Sequence, residues 1–158
     1  MSAFIELSNV SKSYDSPGGG EAVEVFSGVT FQVTEGEAVA IVGPSGSGKS
    51  TLLNVMGALD KPTGGEVLVD GENVAALSFE QAAEYRNQTV GFIFQAHHLL
   101  PQCTVLENVM VPALAGYGDL VGQALQRHAE ELLEEVGLSP RLHHRPGEIS
   151  GGERQRAA

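Results

Sequence analysis

The 158-residue chain carries 20 acidic against nine basic residues, a formal net charge of −11, and is 42% hydrophobic. That size and apolar content fit one folded domain, and the acidic balance opposes non-specific attraction to nucleic acid or anionic lipid. Cys103 is the only cysteine, which excludes an internal disulfide or a cysteine cluster; no apolar run nears the roughly 18 residues of a membrane helix, and Met1 to Glu6 lacks a leader's charged and apolar regions, so the chain is expected in the cytoplasm.

Phe4, Ile5, Glu6 and Leu7 predict a first strand ending near Val10, and Asp15 to Gly20 predicts a loop after Tyr14. Strand composition returns at Val23 to Phe26 and Val29 to Val33, forming one antiparallel layer with the first strand. Thr34-Glu35-Gly36-Glu37 turns into Ala38 to Val42, an apolar run read as a strand. It feeds Gly43-Pro44-Ser45-Gly46-Ser47-Gly48-Lys49-Ser50, a complete G-x-x-x-x-G-K-[ST] phosphate-binding loop, followed by Thr51 and a helix from Ser50 to Leu59. In such a loop the glycines let backbone amides converge on an anion. The helix dipole adds about 0.3–1 kcal/mol, Lys49 reaches the β- and γ-phosphates, and the Ser50 hydroxyl can hold Mg²⁺.

Past the helix, turn formers from Asp60 to Gly65 lead to a strand at Glu66 to Val69 closed by Asp70-Gly71, a hairpin expected to rejoin the first layer. Ser78 with Gln81 is a capping box opening a helix that stops before Thr89. Val90 to Phe94 reads as a buried strand ending in the polar Gln95. Helical periodicity covers Val105 to Leu114 and Leu120 to Val136, the latter with Leu125, Ala129, Leu132, Leu133 and Val136 on one stripe and Glu130, Glu131, Glu134 and Glu135 on a solvated face. Gly137 and Pro140 end it, and a polar loop from Arg141 to Gly147 follows. The pairs His97-His98 and His143-His144 have no acidic or cysteine cluster beside them and read as surface or interface residues.

Ile149-Ser150-Gly151-Gly152-Glu153-Arg154-Gln155-Arg156 is a second motif. Ser150 and Glu153 form a capping box, yet Gly151 and Gly152 in a first helical turn cost up to about 1 kcal/mol each relative to alanine, which a close ligand approach would explain. A second anion site fits.

Together, the phosphate loop, Gln95 after an apolar run, a helical lobe and the Ser150 motif resemble the nucleotide-binding domain of ABC transporters, over nearly all 158 residues. Arg86-Asn87, Gly91 to Gln95, His97 to Pro101, Leu106 to Val109 and Arg145-Pro146 resemble the lipoprotein-releasing (LolD-type) and macrolide-export branch. Ile149 departs conservatively from the family's leucine. The resemblance implies an α/β P-loop NTPase fold with an antiparallel layer, an incomplete parallel core sheet and, over 96–158, a helical lobe with the signature start. It further implies that Tyr14 stacks on adenine, worth about 1–3 kcal/mol by analogy with base–aromatic contacts; a strand-end aromatic covering the core is the other reading. Gly43 to Thr51 would bind ATP, Ser50 and Gln95 would serve Mg²⁺ and the attacking water, and Ser150, Gly151 and Gly152 would face another subunit. The implied partners are a second nucleotide-binding domain, paired head to tail, and membrane-spanning subunits, with nucleic acid excluded. The implied place is the cytoplasmic side of the inner membrane and the implied work ATP-driven lipoprotein release or export.

The family pattern continues past a signature helix with an apolar strand ending in aspartate, a catalytic glutamate, a loop aspartate and a switch histidine. Asp119 follows Gly118 rather than an apolar run and does not replace them. The sequence therefore reads as the front portion of a longer ATPase, expected to bind ATP without useful turnover alone. A binding-only remnant and a soluble ABC protein acting on nucleic acid or ribosomes are the alternatives; a small-molecule kinase would not need Ile149 to Arg156.

Overall fold

The computed structural model describes residues 3–16, 18–115 and 121–158, so Pro17, Asp119 and the expected helix start at Leu120 lie outside the described residues. The chain divides into two compact units, Met1–Val90 and Gly91–Ala158.

The first unit is built on a four-stranded antiparallel sheet in the order β2-β1-β3-β4, with β1 at Ala3–Tyr14, β2 at Val23–Thr34, β3 at Gly64–Val69 and β4 at Glu72–Asn73. β1 runs four residues beyond the expected end at Val10, because a bulge hides its periodicity. Strict alternation would send Leu7 and Val10 to opposite faces. Instead Asn9 takes a φ of 52°, its amide donates to the Thr30 hydroxyl at 2.9 Å, and the register shifts, so that Leu7, Val10 and Lys12 are all buried. The two predicted pieces of β2 are one strand, interrupted at Gly28, whose φ is 65° and whose amide donates to the Ser11 hydroxyl. Asp70 and Gly71, both at positive φ, make the tight turn that joins β3 to β4.

One face of this sheet carries two helices. α1 (Lys49–Met56) buries Leu52 and Val55 against Leu7, Val10 and Val67, and it ends at Met56, three residues short of the expected bound at Leu59, with Gly57 as its cap. There Ala58 adopts a φ of 52° and the Leu59 and Asp60 amides turn back onto the Asn54 carbonyl. α2 (Phe79–Gln88) begins with the expected capping box of Ser78 and Gln81 and buries Ala82 and Tyr85. The Tyr85 hydroxyl donates to Met56 O at 3.2 Å and Arg86 Nη1 to Ala58 O at 2.6 Å, satisfying carbonyls that the end of a helix leaves without partners.

Two apolar runs depart from the expected strands. Residues 38–42 and 90–94 are not in any ladder among the described residues, and Val39, Val42 and Ile93 are 51%, 87% and 90% exposed. A strand exists through its neighbour's hydrogen bonds, and β-rich composition cannot supply that neighbour. Only Ile41 and Val90 lean on the first unit's core. The parallel sheet thus contributes no pair among the described residues, whereas the antiparallel layer is fully formed.

The second unit holds α3 (Val105–Met110), α4 (Gly122–Glu135) and α5 (Gly151–Ala157) around Val105, Leu106, Ala129, Leu133, Leu138 and Ile149. The helix expected to reach Leu114 gives way after Met110 to a 3₁₀ turn, Val111–Ala115, that contains Pro112. On α4 the apolar stripe is narrower than predicted, since Leu132 and Val136 are 42% and 38% exposed. Gly137, with a φ of 71°, ends that helix as expected. No helix among the described residues is long and apolar enough to cross a membrane.

Candidate functional site

The phosphate loop opens α1 in the first unit. Gly46 and Gly48 stand at φ 81° and 82°, conformations that L side chains rarely adopt, and Gly48 is the residue from which the helix starts. A Cβ on Gly48 would come within 2.8 Å of Val25 Cγ1 and 2.9 Å of Phe26 Cδ1, so side chains of β2 press on the loop from behind. A Cβ on Gly43 would stand 2.9 Å from the Ser47 hydroxyl. The Ser47 amide closes a turn onto the Pro44 carbonyl at 3.3 Å.

Lys49 keeps its hydrogen bonds within the loop. Its ammonium donates to the Pro44 carbonyl at 2.7 Å and to the Ser47 hydroxyl at 3.5 Å. A carbonyl is a weak counterpart for a full charge, so a phosphate oxygen reaching this point would replace it by a charge-assisted bond. Ser45, Gly46 and Ser47 are exposed around it, Ser50 is exposed in the first turn of α1, and Thr51 is half-buried beside it. The donor set fits a nucleoside triphosphate: a run of glycines, one cation bonded only to a carbonyl and a hydroxyl, a helix amino terminus without an acidic residue in its first turn, and an exposed hydroxyl, a donor type that Mg²⁺ accepts.

Tyr14 ends β1 and is 45% exposed, which removes the reading in which it covers the core. Its hydroxyl donates to Asp60 Oδ2 at 2.6 Å, and the Lys12 ammonium lies 4.5 Å from its ring centroid. The hydrogen bond to Asp60, aided by burial and by that carboxylate's charge, raises the Tyr14 pKa, with a hydrogen bond from Thr51 acting the other way. The bulge at Asn9 is what brings Tyr14 to this place, a feature that strand periodicity conceals.

In the second unit Gln95 is exposed in a bend, one residue past Phe94. Phe92 and Phe94 stack at 5.3 Å, the ring of His98 meets Phe94 edge-on at 5.0 Å, and the Phe94 carbonyl accepts a bond from Gln155 Nε2 at 3.3 Å. Among the described residues no three His, Cys, Asp or Glu side chains converge to hold an ion.

Ser150 caps α5. Its hydroxyl accepts from the Glu153 amide at 3.2 Å while Glu153 Oε2 accepts from the Ser150 amide at 2.7 Å. Arg141 Nε donates to Glu153 Oε1 at 2.8 Å, and this bond, followed by those to Ser150, lowers the Glu153 pKa from 4.5 to about 2. Gly151 and Gly152 need no special backbone, and a Cβ on either would meet nothing nearer than 3.8 Å and 4.0 Å respectively. Packing within the chain does not require glycine at these exposed positions.

A family model described as ABC transporter matches residues 26–158. An uncharacterized ABC transporter ATP-binding protein of Thermotoga maritima is 50% identical over 158 residues, covering 100% of this chain and 66% of its own length. The lipoprotein-releasing system ATP-binding protein LolD 1 of Rhodopirellula baltica is 52% identical over 155 residues, 98% of this chain and 66% of its own. Among solved structures, a dimeric ATP-binding cassette in a post-hydrolysis state with ADP and Pi superimposes with a TM-score of 0.86 at 39% identity, over 97% of this chain and 66% of that one. The chain spans about two thirds of the length of the curated relatives it matches.

Proposed function

The chain belongs to the ABC transporter family, and from that premise we propose that it is the ATP-binding portion of a transport ATPase of the lipoprotein-releasing type. The observation that carries this reading is the phosphate loop itself, with Gly46 and Gly48 in left-handed conformations and Lys49 resting on a replaceable carbonyl. ATP sits with its phosphates on the amides of Gly43 to Ser50 and with Lys49 on the terminal phosphates. Ser50 would hold Mg²⁺, a role that the family resemblance gives to Gln95 as well, and the ion would supply charge neutralisation and orientation of the phosphoryl group. Tyr14 takes the adenine.

Ser150, Gly151 and Gly152 act on a second copy's nucleotide in a head-to-tail pair. The room at both glycines supports this, as does the dimeric state of the similar cassette. The protein works at the cytoplasmic side of the inner membrane, attached to membrane-spanning subunits, and couples ATP binding and hydrolysis to release of a lipoprotein from that membrane; the lipoprotein-releasing relatives at 48–53% identity support that substrate class.

Lys49→Ala tests the reading. Calorimetric titration should show ATP binding weakened at least tenfold, as a lost charge-assisted bond of about 1.5–3 kcal/mol implies, while adenosine binds as before. Equal loss of both ligands would point to a broken fold instead of a lost phosphate contact.

A further inference from the structure

Lys12 is buried to 6% exposure on the inner face of β1, the one buried charged side chain among the described residues. Its ammonium donates to Asp60 Oδ1 at 2.6 Å and to the Lys61 carbonyl at 2.7 Å. The same carboxylate accepts the Lys61 amide at 2.8 Å and, on its other oxygen, the Tyr14 hydroxyl at 2.6 Å. Burial alone would push the Asp60 pKa up, yet the bonds from Lys12, Tyr14 and the Lys61 amide outweigh it and hold the group below its ordinary value. Asp60 is therefore an anion with every strong donor committed, and Tyr14 is one of them.

A tyrosine at a strand end ordinarily turns about its side-chain torsions. Here the tip of the ring is fixed by Asp60, and one face is covered by the Lys12 ammonium at 4.5 Å. Only the opposite face is left to receive a planar ligand. We infer that Lys12 and Asp60 are positioning residues for nucleotide recognition: they set the orientation of the Tyr14 ring and reserve a single face of it for the purine, so that base affinity is built into the junction between β1 and the turn after α1. The inference rests on the ATP-binding reading above and adds residues that the phosphate loop does not contain. It also gives a reason for burying a lysine, since a salt bridge of this kind offers little net stability against an apolar pair of the same volume.

The decisive variant is Tyr14→Phe, which keeps the ring and leaves Asp60 bonded to Lys12 and Lys61. Calorimetric titration of the chain with Mg·ATP and, separately, with inorganic tripolyphosphate should show ATP weakened about fivefold, because a freed ring must be ordered on binding, and tripolyphosphate unchanged. Asp60→Asn should produce the same split, and the double variant should be no weaker than the worse single one, because both changes remove one device. Wild-type ATP affinity in Tyr14→Phe, or equal weakening of ATP and tripolyphosphate, would overturn the inference. Failure of the unaltered chain to bind either ligand would instead overturn the ATP-binding reading and the inference with it.

Discussion

Gly65 has a φ of 83° and lies so close to β1 that a Cβ would stand 2.3 Å from the Asn9 carbonyl oxygen and 2.6 Å from that of Ser8. Both obstacles are backbone, and neither can swing aside. Gly65→Ala is therefore expected to cost about 3 kcal/mol or more, from combined conformational strain and overlap, seen as a lowered midpoint in urea. Gly151→Ala, which meets only the end of the Arg154 side chain, should leave that midpoint within about 0.5 kcal/mol. At this scale the phosphate loop was legible because all its residues are consecutive. Lys12 and Asp60 were not, since 48 residues separate them and the bulge at Asn9 turns Lys12 inward against its apparent phase.

Capped helices show how much local chemistry can announce. Ser78 with Gln81 and Ser150 with Glu153 mark true helix starts because both partners of each bond lie within four residues. Residues 38–42 and 90–94 mislead for the opposite reason: strand formation waits on a partner that no stretch of four or five residues can specify. The cap on α5 also sets a pH dependence. Glu153 is depressed from 4.5 to about 2, so the stabilisation it brings is fully present above 4.5 and disappears as the pH falls through about 2. Amide chemical shifts of Ser150 and Glu153 should stay constant from pH 7 to about 4.5 and then move with a midpoint near 2. Arg141 is the largest cause of the shift, so Arg141→Ala should carry that midpoint up toward 4.5. An unmoved midpoint would show that the Ser150 bonds alone hold the carboxylate.

For the whole molecule, the unpaired apolar runs set solution behaviour. Val42 and Ile93 are 87% and 90% exposed, in stretches of strand-forming composition, and such segments favour pairing between molecules. The 158-residue chain should associate with rising concentration in sedimentation velocity, and Ile93→Lys should reduce that association without altering ATP titration. A chain that stays monomeric to high concentration would contradict this. A different consequence comes from α1, whose eight residues span about 12 Å. Val25 and Phe26 bear on Gly48 at its start, while Tyr85 and Arg86 grip the carbonyls of Met56 and Ala58 at its end. The helix is a strut clamped at both ends. Its amino-terminal amides are aimed before any anion arrives, so the entropy of ordering them is lost during folding and is not charged against the ligand's affinity.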